Sequence, residues 1–412
     1  EICTNFDKNM SYKCPMKYFF SVLCAAQVLI LFSCAGHQDA LEIKETRYFI
    51  SVLQKGTLTP QHFLSYDEVA PYAETIEKYA GFILKDLTAE TVIINYRTTD
   101  FYGNPIVASG SIVYPTRPND VRMTFEFPGI AHVLKSGGPS GTFPNPMGLP
   151  AFFGYITLIP DLIGYGVTTD YVHPFLMPEI TGKVAADFRL AAKEYLKTVD
   201  ISLPEETVIG SYSYGANVGL ALAKYYQLHD EYNVKIDKVF LGGGCYDPRA
   251  AFDGFAASGK SGYPILPFIV MSMDYYYDLH LNYQNIFYGI LAEHYPDWCD
   301  GYHSKGFLTN TLGTDMHQYL HPDFFTKEKN ADLNRLYDYL ALNSHMDGWT
   351  PEMPVYFYHS TEDDYVPFEC AAYAYEQFKK RGAYVRLIKG TGSHSDFALR
   401  FVADVAAYLL IK

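Results

Sequence analysis

The chain has 412 residues, 49% of them hydrophobic and 16% aromatic, and carries 46 acidic against 32 basic side chains. Its net charge of −14 argues against nucleic acid as a partner, which would need a basic face. Its 13 histidines are scattered, with no paired-cysteine spacing and no His-Glu-x-x-His string, so neither a metal nor another cofactor is expected.

In chain order, the first feature is Lys17 followed by an apolar run from Tyr18 to Phe32. At about fifteen residues it is short for a membrane span but suits the core of a secretory signal peptide. It ends in Leu31-Phe32-Ser33-Cys34, which has the form of a bacterial lipoprotein box. Cleavage before Cys34 and lipidation of its thiol are expected; cleavage after Ala35 or Gly36, giving a soluble product, is the alternative. The residues before Met16 read as upstream of the working start. Residues 1–33 are therefore set outside the fold, 34–50 form a tether and 51–412 the globular domain. The expected location is the bacterial cell envelope, membrane-bound through the lipid on Cys34, or otherwise secreted. In that compartment a Cys245–Cys299 bridge and unpaired buried thiols at Cys245, Cys299 and Cys370 are both open.

Thr91–Tyr96 and Ile106–Tyr114 flank Asp100-Phe101-Tyr102-Gly103-Asn104 and predict an antiparallel hairpin. Further strands are expected at Arg122–Phe127, Tyr155–Ile159, Thr207–Gly210, Lys238–Leu241, Pro354–Tyr358 and Tyr384–Ile388. Helical stretches such as Thr181–Leu196 separate most of them. Strands alternating with helices imply a mainly parallel α/β sheet flanked by helices.

The strand Thr207–Gly210 runs through Ser211-Tyr212-Ser213-Tyr214-Gly215 into a predicted helix from Asn217 to Tyr226. A strand-to-helix turn this sharp holds its central serine in an unfavourable backbone conformation. It needs small residues two before and two after. Ser211 and Gly215 meet that need around Ser213. A turn centred on Ser211 would put Ile209 in a tight position, so Ser213 is the candidate nucleophile.

From about 245 to 350 the alternation breaks. This insertion is rich in aromatic residues, among them Tyr263, Phe268, Tyr275-Tyr276-Tyr277, Tyr283, Phe287 and Tyr288, with Met271 between them. Inserted at the edge from which catalytic loops emerge, it predicts a cap suited to an apolar acyl or aryl group. Most of these rings are expected to form the cap's own core.

After the strand Pro354–Tyr358 comes the polar loop Ser360 to Pro367, and after Tyr384–Ile388 the loop that holds His394. A serine hydroxyl needs an imidazole to take its proton, and the imidazole needs a buried carboxylate to fix its tautomer. Ser213, Asp363 and His394 follow one another in the order Ser, acid, His found in α/β-hydrolases. Glu362 and Asp364 are rivals for the acid; Asp363 is preferred because Asp363-x-x-Val366-Pro367 resembles the acid loop of those enzymes. Asp396 is too close in sequence to reach the far side of the His394 ring. The final helix carries Phe397, Phe401, Val405, Tyr408 and Leu409 as one apolar stripe.

Pro160-Asp161-Leu162-Ile163-Gly164-Tyr165-Gly166, followed by His173-Pro174-Phe175, resembles the Asp-Tyr-x-Gly-x-Gly…His-Pro-Tyr signature of secretory lipase-like α/β-hydrolases. So does Asn343 with Trp349-x-Pro351-x-x-Pro354, leading to His359 and the Asp363 loop. The resemblance covers about residues 60–412, cap included. It implies a carboxylic ester hydrolase, an esterase or lipase, whose partner is a small-molecule acyl ester. Phe127-Pro128-Gly129-Ile130 stands where that family often has a His-Gly pair. The expected oxyanion donors are the amides of Tyr214 and of Ile130 or Gly129. Asp161, Gly164 and Gly166 are expected to be structural. Two other readings compete, a serine peptidase of the same fold and a non-catalytic ligand-binding lipoprotein. An intact Ser213, Asp363 and His394 set argues against the second, and no feature announces a site for a peptide amine.

Overall fold

The computed structural model describes residues 46–65, 70, 73–74, 77–78, 86–129 and 133–412. Cys34, with the whole front segment, and Ile130 lie outside the described residues. The strands are β1 (Phe49–Leu58), β2 (Ala89–Thr99), β3 (Pro105–Pro115), β4 (Met123–Glu126), β5 (Tyr155–Pro160), β6 (Glu206–Tyr212), β7 (Lys235–Gly242), β8 (Val355–Ser360) and β9 (Val385–Gly390). They form one sheet in the order β1-β2-β3-β5-β4-β6-β7-β8-β9. The β1–β2, β2–β3 and β3–β5 pairs are antiparallel, and every pairing from β5 to β9 is parallel.

The expected hairpin is β2–β3, in register from Ala89↔Pro115 to Thr99↔Pro105. Its turn closes because Asp100 Oδ1 accepts the N–H groups of Tyr102 (2.9 Å) and Asn104 (2.8 Å). Strand β1 was not among those read from the sequence. It is an edge strand with mostly exposed side chains, so the apolar pattern that marks its neighbours is missing. It starts at Phe49, just inside the segment assigned to the tether.

Successive strand residues point to opposite faces, and here both faces are covered. Ile209, Val239, Leu241, Val355 and Phe357 pack on one side, with Ala185 and Ala186 of the helix Pro178–Lys197, Leu220 and Ala223 of Tyr214–Leu228, and Phe378 of Glu369–Lys380. Val208, Phe240 and Tyr358 pack on the other with Phe397, Phe401, Val405 and Leu409, the stripe of the last helix, His394–Ile411. Double burial explains why these strands read as continuous apolar runs.

A buried ion pair also joins sheet to helix. Arg189 Nη1 donates to Glu126 Oε1 at 2.8 Å, with side chains 4% and 3% exposed. Tyr226 and Thr207 hydroxyls donate to the same carboxylate at 2.7 and 3.0 Å.

Between β7 and β8 lies a helical insertion, with helices Pro248–Ser258, Leu266–Tyr277, Gly289–His294, Lys305–Leu312 and Ala331–Leu342. Tyr276, Phe287 and Tyr295 are buried in its core, as expected of most of its aromatics, while Tyr275 and Tyr288 are more than half exposed. Among the described residues no helix is long and apolar enough to cross a membrane.

Candidate active site

Strand β6 leads into the helix Tyr214–Leu228, and Ser213 between them sits at φ 57°, ψ −133°. Such backbone costs a non-glycine residue on the order of 1–3 kcal/mol and persists only where its surroundings enforce it. The Ser213 N–H donates to Gly242 O at 2.7 Å, so the end of β7 holds the strained residue. The flanking small residues are required by contact. A Cβ on Gly215 would lie 1.6 Å from Gly129 O and 2.1 Å from Ser211 Oγ. Ser211 is fully buried and donates its hydroxyl to Gly129 O at 2.9 Å. Ser213 remains partly exposed.

The Tyr214 amide lies in the first helical turn, where N–H groups lack intrahelical acceptors and the helix dipole favours negative charge. Its side chain is buried, and its hydroxyl lies 2.9 Å from His173 Nε2. His173 Nδ1 is 2.6 Å from Ile163 O. A carbonyl only accepts, so Nδ1 carries the proton and Nε2 accepts from Tyr214. Gly129 has φ +87°, a conformation natural to glycine.

His394 and Asp363 come together as the sequence predicts. Nδ1 lies 2.8 Å from Asp363 Oδ2, with the side chains 6% and 0% exposed. Asp363 Oδ1 accepts the backbone N–H groups of Tyr365 (2.9 Å) and Val366 (2.8 Å). Burial alone would push this carboxyl up. The bond from His394, the two neighbouring histidines and the Val366 N–H outweigh it and hold the group below its ordinary value. The rival carboxylates serve the histidine's loop instead. Asp364 Oδ1 accepts the His394 N–H at 2.9 Å, and Glu362 Oε2 the Gly392 N–H at 3.0 Å. Asp396 forms a capping box with Ser393 at the start of the last helix.

The His394 ring packs on the residue before Ser213, with its centroid 5.0 Å from that of Tyr212. A Cβ on Gly243 would lie 2.8 Å from His394 Cε1, and Tyr212, the residue before Ser213, donates its hydroxyl to His394 O at 2.8 Å. Among the described residues, neither the Ser213 hydroxyl nor His394 Nε2 is engaged by a hydrogen bond.

Three contacts escaped the sequence reading. The Tyr365 ring stacks on His394 at 4.9 Å and 23°. Lys305, from the cap, donates to the Tyr365 hydroxyl at 2.7 Å. His173 reaches Tyr214 across 41 positions. Only the first left a local trace, because Tyr365 follows the acid by two.

Asp161 is wholly buried. Its Oδ2 accepts from Ser109 Oγ at 2.5 Å and its Oδ1 from Ser140 N–H at 2.9 Å. A Cβ on Gly166 would strike Asp161 Oδ2 at 2.2 Å, so carboxylate and glycine act as structural partners. Cys245, Cys299 and Cys370 are buried free thiols, which rules out the Cys245–Cys299 bridge in this structure. Among the described residues no His, Cys, Asp and Glu cluster could hold a metal.

Two cavities adjoin these elements. One, of about 1320 Å³, lies between Pro248–Ser258, residues 341–347 and the acid loop. It touches Asp363 and Tyr365 but neither Ser213 nor His394. The other, of about 190 Å³, lies under the cap and is lined by Val133, His173, Phe175, Phe268 and Met271, among others; it too touches neither Ser213 nor His394, and adjoins the nucleophile turn through His173, which meets Tyr214.

The model of the Alpha/beta hydrolase family matches residues 128–407. The chain therefore belongs to the alpha/beta hydrolase family. Similar solved structures include a putative hydrolase from Legionella pneumophila, 18% identical with a TM-score of 0.70 over 87% of this chain and 97% of that one. A rice cell wall degrading esterase, LipA, from Xanthomonas oryzae is 21% identical with a TM-score of 0.70, covering 88% and 96%. Candida antarctica lipase A in its closed state is 15% identical with a TM-score of 0.56, covering 84% and 78%. At these identities the likeness is one of fold. No curated protein matches the chain.

Proposed function

We propose that this protein is a serine hydrolase of carboxylic esters, with Ser213 as nucleophile, His394 as general base and Asp363 as the acid that orients it. The observation that carries the reading is the buried Asp363–His394 pair at 2.8 Å, packed on Tyr212, the residue before a serine held at φ 57°. Ser213 Oγ attacks the ester carbonyl while His394 Nε2 takes its proton. The oxyanion is stabilised by the Tyr214 N–H and by a second amide from Gly129 or Ile130. Collapse expels the alcohol, which receives the proton from His394. Water, activated by the same imidazole, then attacks the acyl-enzyme and releases the acid. The descriptions of LipA as an esterase and of the Candida protein as a lipase support the bond type.

The 190 Å³ cavity, with Phe268 and Met271 supplied by the cap, is our candidate acyl site. A cavity of about 150 Å³ admits benzene, so short to medium acyl chains are the substrates that this volume favours. The test is hydrolysis of aryl esters from acetate to palmitate by the wild type and Ser213→Ala. The substitution should cost roughly 10³-fold or more. Retained turnover in Ser213→Ala would refute the nucleophile, and a maximum at palmitate would refute the assignment of the cavity.

Cys34 is proposed as a lipid anchor holding the protein at a bacterial envelope. Multiple acyl chains would bind it firmly where one would not. Labelled palmitate should enter the wild type and be lost in Cys34→Ser; equal labelling of both rejects the anchor.

A further inference from the structure

His359, the penultimate residue of β8, is fully buried. Its Nε2 is 3.0 Å from Val366 O and 3.4 Å from Asp363 Oδ2. A carbonyl only accepts, so Nε2 carries the proton. Nδ1 is buried with no partner among the described residues, which fits the neutral ring. Phe368 closes against the imidazole edge-on at 5.9 Å. The acid loop is therefore tied back to its own strand by this N–H, whose positive end also faces the oxygen that His394 uses. No role in the proposed chemistry requires His359 to touch a substrate; β8 holds the loop by this side chain and by Ser360 Oγ, which accepts the Glu362 N–H at 3.1 Å.

We propose that His359 is a positioning residue for the reaction. Its Nε2–H bridges Val366 O and Asp363 Oδ2, fixing the carboxylate so that Oδ2 points at His394 Nδ1. This rests on the reading of Asp363 and His394 as catalytic. The carboxylate has two further holders, the Tyr365 and Val366 amides on Oδ1. Those fix one oxygen; the direction of the other depends on where residues 363–366 sit against β8, which is the distance that His359 spans.

The test uses the full chain and a soluble aryl ester, with kcat and KM measured separately and thermal unfolding recorded for every variant. Glutamine can place its amide nitrogen near the position of Nε2; asparagine is too short. His359→Gln should keep kcat within about 3-fold, whereas His359→Asn and His359→Leu should lose roughly 10- to 100-fold in kcat with KM little changed. In an Asp363→Asn background, His359→Leu should cost much less than in the wild type, because a residue acting through Asp363 has little left to position. Equal kcat in Gln and Asn variants, or the same fold-loss from His359→Leu in both backgrounds, would overturn the proposal. If His359→Leu fails to fold, the Gln and Asn pair decides. Failure of the underlying reading is separately visible, as turnover that survives Ser213→Ala.

Discussion

At the scale of the residue, the acid loop presents three adjacent carboxylates with three different bonds. Asp363 holds the His394 ring, Asp364 the His394 backbone and Glu362 the Gly392 backbone. Asn in place of Asp363 still offers one oxygen, but its amide can stabilise the wrong imidazole tautomer and cannot balance an imidazolium. Asp363→Asn is therefore expected to lower kcat by roughly 10⁴-fold. Asp364→Asn keeps an acceptor for a neutral N–H and should stay within about 10-fold of the wild type. Steady-state kinetics on one aryl ester check this, and comparable losses in the two variants would remove Asp363 from its role. That Asp363, of the three, meets the His394 ring was expected from the Asp363-x-x-Val366-Pro367 spacing. The tasks of the other two carboxylates were not, because they depend on a loop some 30 positions away. Ser213 was legible for a steric reason: Gly215 lies so close to Gly129 O that no side chain fits.

At the scale of the element, the apolar runs of β4 to β8 and the stripe of the last helix carried most of the fold, since strands buried on both faces leave a clear mark. β1, an edge strand with mostly exposed side chains, has no such mark and was missed for that reason. The buried Glu126–Arg189 pair was equally hidden, since nothing local tells a charge inside the helix Pro178–Lys197 that its partner is 63 positions away. It yields a firm expectation. Arg189→Met leaves Glu126 buried with two hydroxyl donors and no cation, and should destabilise the protein by about 3–5 kcal/mol. Urea unfolding measures it, and a loss below about 1 kcal/mol would mean that Tyr226 and Thr207 suffice. Restoring an uncharged partner with Glu126→Gln in the same chain should recover part of the loss.

At the scale of the whole molecule, acid stability is expected to depend on histidines far from the surface. His345 is fully buried, neither ring nitrogen has a partner among the described residues, and burial together with Lys224 pushes it down to about 3. Burial lowers His359 as well, against the pull of Asp363. The unfolded chain takes up a proton on each histidine near pH 6.5, while the folded chain does not until lower pH. Unfolding is thus proton-linked, and stability falls as pH drops below about 6.5, by up to about 1.4 kcal/mol per unit for each such group. For His345 the loss continues toward pH 3. Asp363 adds to the loss only lower, since its depressed carboxyl contributes stability above about pH 3.9 that vanishes as pH falls through its folded value. Urea midpoints at pH 7, 6, 5 and 4 should fall more steeply in the wild type than in His345→Leu; parallel curves would show that His345 is protonated in the folded protein.

The cap was legible as an interruption of the strand–helix alternation, and its aromatic content as mostly self-packing. Its contact with the site through Lys305 and Tyr365 was not, because the meeting of those two residues exists only once the chain has returned to β8. Under the proposed function, one strained serine, Ser213, carries the chemistry. The most direct test is reaction of the intact protein with a fluorophosphonate, followed by mass spectrometry of the peptides. One adduct is expected, on Ser213, with activity lost in proportion and labelling abolished in Ser213→Ala. An adduct on Ser211 or elsewhere, or full inactivation with Ser213 unmodified, would contradict it.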